Sequence, residues 1–150
     1  MLTAEEQEKI FKKFKKVVDT RDSHKIDKAL YNHLHLRCGF IAHYNQHGFI
    51  ENYANERFLD FVEHFEQCFY LCYGEYGQFN ERLKQYILEN ATAIRREYAI
   101  KKEQKELRLL QELAKKHNLS VVEGARDFPQ KKHQPFEFTI SSDGQYGFAI

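Results

Sequence analysis

The chain has 150 residues, of which 42% are hydrophobic and 30% charged, so length and composition indicate one globular domain with a sizeable core. The formal net charge of +1 excludes a global electrostatic attraction to nucleic acid or to a membrane surface. Two prolines and seven glycines favour long regular elements over a loop-rich fold. Thirteen Phe and nine Tyr make the chain rich in aromatic side chains, which bury large areas and mark interfaces.

The first ten residues, MLTAEEQEKI, are charged from the start and therefore do not read as a secretory signal. No apolar run approaches the length needed to span a bilayer. The three cysteines form no CxxC pair, and an odd number argues against a disulfide framework. We therefore expect a cytoplasmic protein that has no membrane segment and whose thiols are free and reduced.

Two helices are predicted in the first fifty residues. Thr3 and Glu6 form a capping-box pattern, and apolar residues at helical spacing then predict a first helix over roughly 4–19. The Asp-Ser pair at 22–23 offers a cap for a second helix, which is apolar on more than one face. The Asn-Gln-His-Gly stretch at 45–48 offers a stop, so this second helix is expected to end there.

The middle of the chain predicts a third helix and a long last one. Apolar spacing favours a third helix over roughly 54–73, closed by glycines. Residues 78–118 then contain neither Gly nor Pro, which indicates either one long helix or two helices with a bend near 101–106. The apolar stripe of its first half is Leu83, Ile87, Ala91, Ile94 and Tyr98.

After Asn118 the pattern changes from helical to alternating. In PFEFTISSDGQYGFAI, residues 135–150, apolar residues alternate on both sides of an Asp-Gly pair that suits a tight turn, which predicts a β-hairpin. The predicted fold is therefore mainly α. We expect a bundle of about four helices over 1–118, the last one long, and a C-terminal hairpin appendage over 119–150. The appendage would pack on the bundle or on a partner, since a lone hairpin is marginal in water.

Charge is unevenly distributed along the sequence. Between Phe49 and Glu81 there are seven acids and one base, whereas between Arg82 and Lys116 there are ten bases and five acids. The simpler interpretation is that these segments form two solvated faces that attract each other. The alternative is that the basic helix is offered to a phosphate backbone.

One stretch, HLRCGFIAHYNQHGF at 35–49, places an arginine, a cysteine and three histidines among apolar residues. An Arg guanidinium clamps phosphate oxygens in a fork, and an imidazole can accept and return a proton near neutral pH. Arg37 and His43 are therefore candidate catalytic residues for phosphodiester cleavage. The candidate substrate-binding residues around them are His33, Tyr44 and His47.

Within this stretch, LRCGFIAHYN resembles the Arg-polar-…-His motif of HEPN domains, which are nucleotide-binding helical domains of higher eukaryotes and prokaryotes. The matching positions are Leu36, Arg37, Ala42 and His43, whereas Cys38 stands where the motif usually has Asn, Asp or His. Many such domains are metal-independent endoribonucleases of defence or toxin systems, with active sites at a dimer interface. The resemblance implies that Arg37 stabilises the scissile phosphate and that His43 moves protons at the 2′-hydroxyl or the leaving oxygen.

The same residues also have a structural interpretation. Arg37 would then be a buried charge paired with one of the acids of the third helix, such as Glu63 or Asp60, and His33 and His43 would be core imidazoles with satisfied hydrogen bonds. The bare motif spacing recurs at Arg57–His64 and at Arg126–His133, so spacing alone does not single out the first pair.

No metal and no cofactor are predicted. A zinc-type site would need one pair of ligands from each of two helices, such as His43 and His47 with His64 and Cys68. Glycine-rich phosphate loops and nucleophile elbows are missing from the sequence. Two functions therefore stay open. One is a HEPN-like protein that acts on RNA as a homodimer; the alternative is a non-catalytic helical subunit that docks a protein partner through aromatic faces and the C-terminal hairpin.

Overall fold

The computed structural model describes residues 1–41, 44–68, 73–118, 138–140 and 146–148, and this part of the chain is mainly helical, as the sequence predicts. Five α-helices lie in it, one more than the four or so expected. They are α1 (Ala4–Thr20), α2 (Lys28–Arg37), α3 (Gln46–Asn52), α4 (Phe58–Gln67) and α5 (Gly77–Lys116). No helix within these ranges is both long and apolar enough to cross a membrane.

The chain divides into two compact units, Met1–Lys105 and Glu106–Ile150. In the second unit, strands β1 (Phe138–Ile140) and β2 (Tyr146–Phe148) pair antiparallel, with Phe138 opposite Phe148. Each strand has three residues, and the remainder of 119–150 lies outside the described residues. The predicted hairpin as a folded unit, and the domain boundary near 118, therefore stay predictions.

Helix α1 matches its prediction in both position and cap. The amide of Glu6 donates to the Thr3 hydroxyl (3.2 Å), and the amide of Thr3 donates to the Glu6 carboxylate (2.7 Å). Two of the amides that a helix start leaves unpaired are thereby satisfied. The buried face of α1 consists of Ile10, Phe11, Phe14, Val17 and Val18.

The predicted second helix, running without interruption to 45–48, is wrong. Asp22 caps only a 3-10 helix, Ser23–Lys25, and Asp27 caps α2, which ends at Arg37. The break follows from Gly39, whose φ of 73° lies in the left-handed region that a helix cannot use. Asn45, interpreted from sequence as part of a stop, instead begins α3 by accepting a hydrogen bond from the Gly48 amide.

The third helix is shorter than predicted. A 3-10 helix, Asn55–Arg57, leads into α4, which ends at Gln67 because the backbone of Cys68 is extended. The carbonyl of Cys68 accepts a hydrogen bond from Lys84 Nζ (3.0 Å). This long-range contact stabilises the C-terminal end of α4, and the local sequence does not predict it.

Helix α5 is a single helical segment of forty residues, so the alternative of two separate helices is not what the structure has. All five residues of the predicted first stripe, from Leu83 to Tyr98, are buried. Along 99–113 every side chain is exposed, including four leucines.

An aromatic core holds the first unit together. Its fully buried large side chains are Phe14, Phe40, Phe49, Phe58, Phe61, Phe65, Leu30, Leu34, Leu83, Ile87 and Ile94. Most of the ring pairs are edge-to-face or tilted, the arrangements that aromatic quadrupoles favour. The abundance of phenylalanine in the sequence is therefore used mainly inside the protein.

The acidic and basic segments attract each other, as the simpler interpretation of the charge pattern predicts. Arg95 on α5 pairs with Glu66 on α4, and Lys105 pairs with Glu56 at 3.1 Å. These pairs are largely exposed, so each contributes little to stability.

Phe40 should be a sensitive position although it lies between helices. Its ring is 2% exposed and packs against Phe61 and Phe49 at centroid distances of 5.3 and 5.2 Å. We expect Phe40→Ala to lower the free energy of unfolding by about 3–5 kcal/mol, since it leaves a cavity. Tyr44→Ala, at a side chain 91% exposed, should change it by about 0.5 kcal/mol or less. Urea unfolding followed by circular dichroism measures both; equal losses would contradict the assigned burial.

Candidate functional site

The end of α2 is anchored to α5 by Asn80. Asn80 Nδ2 donates to the carbonyl of Arg37 (3.0 Å). Because a carbonyl can only accept, this bond fixes the orientation of the amide and turns Asn80 Oδ1 toward His33 and Cys38. Oδ1 lies 2.8 Å from His33 Nε2 and 3.5 Å from Cys38 Sγ, so the imidazole carries its proton on Nε2 and both groups donate.

The imidazole of His33 is a buried hydrogen-bond donor. It is 4% exposed and makes edge-to-face contacts with Tyr76 and Phe79. Burial lowers the pKa of His33, and the nearby charge of Arg37 lowers it further, while the bond to Asn80 opposes them. His33 is therefore a satisfied core imidazole, as the structural interpretation of the sequence predicts, and this position gives substrate no direct access to it.

Two more histidines hold the turn that follows α2. His64 Nε2 donates to the Cys38 carbonyl (2.8 Å), and His35 Nδ1 donates to the Phe40 carbonyl (2.9 Å). The ring of His64 also stacks on Phe40 with centroids 3.6 Å apart. Burial lowers the pKa of His64 and favours the neutral form, while the bond to the Cys38 carbonyl opposes this shift. The carbonyls that the helix end leaves unpaired are thus satisfied by side chains.

The guanidinium of Arg37 lies on the outside of this turn. Its Cζ atom is 4.9 Å from the centroid of the Tyr76 ring, a cation–π distance. The hydroxyl of Tyr76 accepts a hydrogen bond from the Leu2 amide (3.0 Å), which fixes the ring. Within the described residues the side chain of Arg37 is exposed and makes no hydrogen bond or ion pair.

The predicted pairing of a buried Arg37 with an acid on α4 is therefore wrong. Asp60 pairs with Arg57 at 3.4 Å, and Glu63 accepts a hydrogen bond from Gln67 at 2.7 Å. Each acid already has a partner three or four residues away in the sequence: Arg57 precedes α4, and Gln67 lies on α4 itself.

The remaining predicted site residues are placed as follows. His43 lies outside the described residues, so its distance from Arg37 stays a prediction. Tyr44 is 91% exposed, and His47 is exposed on α3. The structure joins Arg37 to His33 through Asn80 but does not bring Tyr44 or His47 into that hydrogen-bond network.

Sequence reasoning missed Asn80 and Tyr76, although a signal for both was present. Extending the apolar stripe of α5 backwards from Leu83 by three residues gives Asn80, and by four more gives Tyr76. An asparagine at a core position needs internal hydrogen-bond partners, which makes it a candidate for a structural or functional role.

The described cysteines and histidines do not form a reactive thiol site or a metal site. Burial raises the pKa of the Cys38 thiol, and the adjacent Cys68 adds to this, so Cys38 is a weak nucleophile and a poor ligand. Within residues 1–41, 44–68 and 73–118, no three His, Cys, Asp or Glu side chains converge on a point that would hold a metal ion. Cys72 and His43 lie outside these ranges.

Comparisons with models of protein families, with curated proteins and with solved structures found no match for this chain. The fold and the site define a mainly helical protein in which an exposed arginine packs on a tyrosine ring. The backbone carbonyl of that arginine accepts a hydrogen bond from a buried polar network.

The stability of this network should depend on pH. The folded-state pKa of His33 is lowered, so below the unfolded value of about 6.5 the unfolded chain binds more protons than the native protein. The contribution of neutral His33 to the free energy of unfolding is therefore complete above pH 6.5. It decreases as the pH is lowered from there toward the folded-state pKa. The slope contributed by one histidine is at most about 1.4 kcal/mol per pH unit.

Two substitutions at one position separate titration from hydrogen bonding. His33→Gln keeps a donor for Asn80 but does not titrate, so it should partly flatten the decline in stability between pH 6.5 and 5, leaving the contribution of His64. His33→Phe should flatten it equally but also lose stability at pH 8, where the hydrogen bond alone is missing. Urea unfolding across this pH range measures both effects, and a slope as steep as in the wild type would contradict the assignment.

Proposed function

We propose that this protein is a HEPN-like, metal-independent endoribonuclease of a defence or toxin system and that it acts as a homodimer. In this proposal Arg37 binds the scissile phosphate and His43 transfers protons. Tyr44 and His47 contact the substrate, and His33 serves as a buried support for Asn80. The proposal rests on the resemblance of LRCGFIAHYN to the HEPN motif and on the surroundings of Arg37.

The observation that carries the proposal is the exposure of the Arg37 guanidinium. An arginine with a structural role is normally buried against a carboxylate, because an unpaired buried charge is costly. Arg37 has neither feature within the described residues, and no hydrogen bond or ion pair there occupies the N–H donors of its guanidinium. A fork of free N–H donors is the arrangement that phosphate recognition requires.

Exposed apolar side chains close to Arg37 in the sequence support both the homodimer and the nucleic-acid substrate. Leu36, Ile41 and Tyr44 are 68%, 74% and 91% exposed. Such residues lie at subunit interfaces, and an exposed tyrosine offers a surface on which an unpaired base stacks.

The proposed reaction is an internal transesterification of RNA. His43 takes the proton of a 2′-hydroxyl as its oxygen attacks the adjacent phosphorus, and the bond from phosphorus to the 5′-oxygen breaks. The leaving oxygen gains a proton from an imidazolium, either the same one or that of the second protomer. The products are a 2′,3′-cyclic phosphate and a 5′-hydroxyl, and Arg37 stabilises the charge on the phosphorane oxygens.

Removing either motif residue should abolish most of the activity. We expect Arg37→Ala and His43→Ala each to reduce RNA cleavage by about 10²-fold or more, with unchanged unfolding midpoints, because both act on the reacting groups. The assay is cleavage of a labelled single-stranded RNA in EDTA, with end-group analysis for cyclic phosphate.

The competing Arg57–His64 match supplies the control. Arg57 is exposed and pairs with Asp60, whereas His64 is engaged with the Cys38 carbonyl. Arg57→Ala should therefore retain wild-type cleavage. Full activity in His43→Ala would exclude the proposed chemistry.

A second candidate function follows from the surface of α5. Four leucines within about two turns of α5 are half-exposed. They are Leu107 (44%), Leu109 (56%), Leu110 (53%) and Leu113 (46%). A helix face of this kind binds another helix. In this case the chain is the non-catalytic interaction subunit of the alternative interpretation.

Substitutions on this leucine face test whether it is a self-association surface. If the face binds a second copy of the chain, Leu107→Gln combined with Leu110→Gln should shift the protein toward monomer by more than tenfold in dissociation constant, since two apolar side chains lose burial worth about 1.5–3 kcal/mol each. Arg108→Gln, exposed on the same turn, is the matched control. Sedimentation equilibrium measures the constants; identical values for all three proteins would eliminate this face as a self-association surface.

A further inference from the structure

Asn80 is connected to both members of the Arg37–Tyr76 pair. Its side-chain Nδ2 donates to the carbonyl of Arg37 at 3.0 Å, and its backbone N–H donates to the carbonyl of Tyr76 at 2.8 Å. The residue is 2% exposed and lies in the apolar stripe of α5. A single buried residue thus connects the last residue of α2, through its side chain, to the chain segment that carries the tyrosine ring, through its backbone.

The second side-chain atom of Asn80 is also engaged. Oδ1 accepts hydrogen bonds from His33 Nε2 (2.8 Å) and from the Cys38 thiol (3.5 Å), both in the α2 region. The amide cannot rotate without breaking bonds to His33 and Arg37 together. Buried hydrogen-bonded networks of this kind fix orientation, since each bond becomes costly to leave unmade in a low-dielectric interior.

We propose that Asn80 is a positioning residue that holds Arg37 over the Tyr76 ring and so presents its guanidinium to an RNA phosphate. This inference rests on the proposed function for its phosphate, but the placement of Arg37 is a property of the free protein. Asn80 is buried and acts only through Arg37, so it is not itself a catalytic residue.

The first measurement needs no RNA. In the wild type, the Hδ and Nε–H protons of Arg37 should show upfield NMR shifts from the ring current of Tyr76, with Tyr76→Leu as the unshifted reference. Asn80→Ala should lose most of that shift. Asn90→Ala is the matched control, because Asn90 lies on the same helix and its Nδ2 donates to the Tyr86 carbonyl (2.8 Å), away from α2.

The second measurement separates positioning from mere loss of folding. One phosphate contact fewer should reduce the slope of log Kd against log salt for a single-stranded RNA by about 0.7. We expect this reduction both in Arg37→Ala and in Asn80→Ala, with binding at low salt weakened about two- to tenfold in Asn80→Ala. A variant that is only partly unfolded would retain the wild-type salt slope in its folded fraction. The control Asn90→Ala should also retain the wild-type salt slope.

Asn80→Asp is a second variant in case the alanine variant does not fold. It retains the size and one acceptor oxygen of the asparagine but places an oxygen against the Arg37 carbonyl, so it should also lose the ring-current shift. If neither variant folds, the wild type still decides: unshifted Arg37 protons and rapidly exchanging Asn80 amide protons would overturn the inference.

Failure of this inference and failure of the proposed function give different results. A wild type that does not bind RNA would remove the proposed function, and the NMR shifts alone would then decide the role of Asn80. Wild-type binding with an Arg37-dependent slope, together with an unchanged shift and slope in Asn80→Ala, would leave the proposed function standing and exclude Asn80 as its positioning residue.

Discussion

The arrangement of the first unit depends on how the C-terminal end of α2 is satisfied. A helix end leaves carbonyl groups without partners, and here the chain turns at Gly39, whose φ is 73°. Side chains from α4 and α5 supply the donors: His64 to the Cys38 carbonyl and Asn80 to the Arg37 carbonyl. Three elements distant in sequence thus meet at one turn. The consequence is that Phe40 enters the core while Arg37, three residues earlier, stays outside.

This dependence explains where sequence reasoning succeeded and where it failed. Helix α1 and the first half of α5 could be predicted because cap residues and apolar spacing are local signals that agree with the packing. The end of α2 could not be predicted, since apolar spacing continues past Arg37. The turn after it is stabilised by hydrogen-bond donors from residues far away in the sequence. At Asn45 the local signal was real but ambiguous, because asparagine both ends and begins helices, and the hydrogen bond to Gly48 shows which role it takes.

The candidate site shows the same division between local and distant information. Arg37 could be found from a ten-residue pattern, but its exposure and its contact with Tyr76 depend on the placement of α5. Asn80 looks ordinary within QFNERL and becomes informative only when the stripe of α5 is extended back to it. His33 is the opposite case. Its position close to the motif in the sequence made it a substrate-binding candidate. Its burial and its hydrogen bond to Asn80 instead give it a structural role in the interior.

The unusual density of ionisable residues around 33–47 therefore has a physical reason that does not require all of them to react. Imidazoles are small, planar donors that can pack on aromatic rings when neutral. Inside the phenylalanine-rich core His64 stacks on Phe40, and His33 makes an edge-to-face contact with Phe79. Their burial lowers their pKa values, so near neutral pH they do not add positive charge beside Arg37. A guanidinium that protrudes from a neutral, rigid support keeps its full charge and its free donors for an anionic ligand. In the proposed function, this division between buried neutral histidines and an exposed arginine is the reason that Arg37 is the residue assigned to the phosphate.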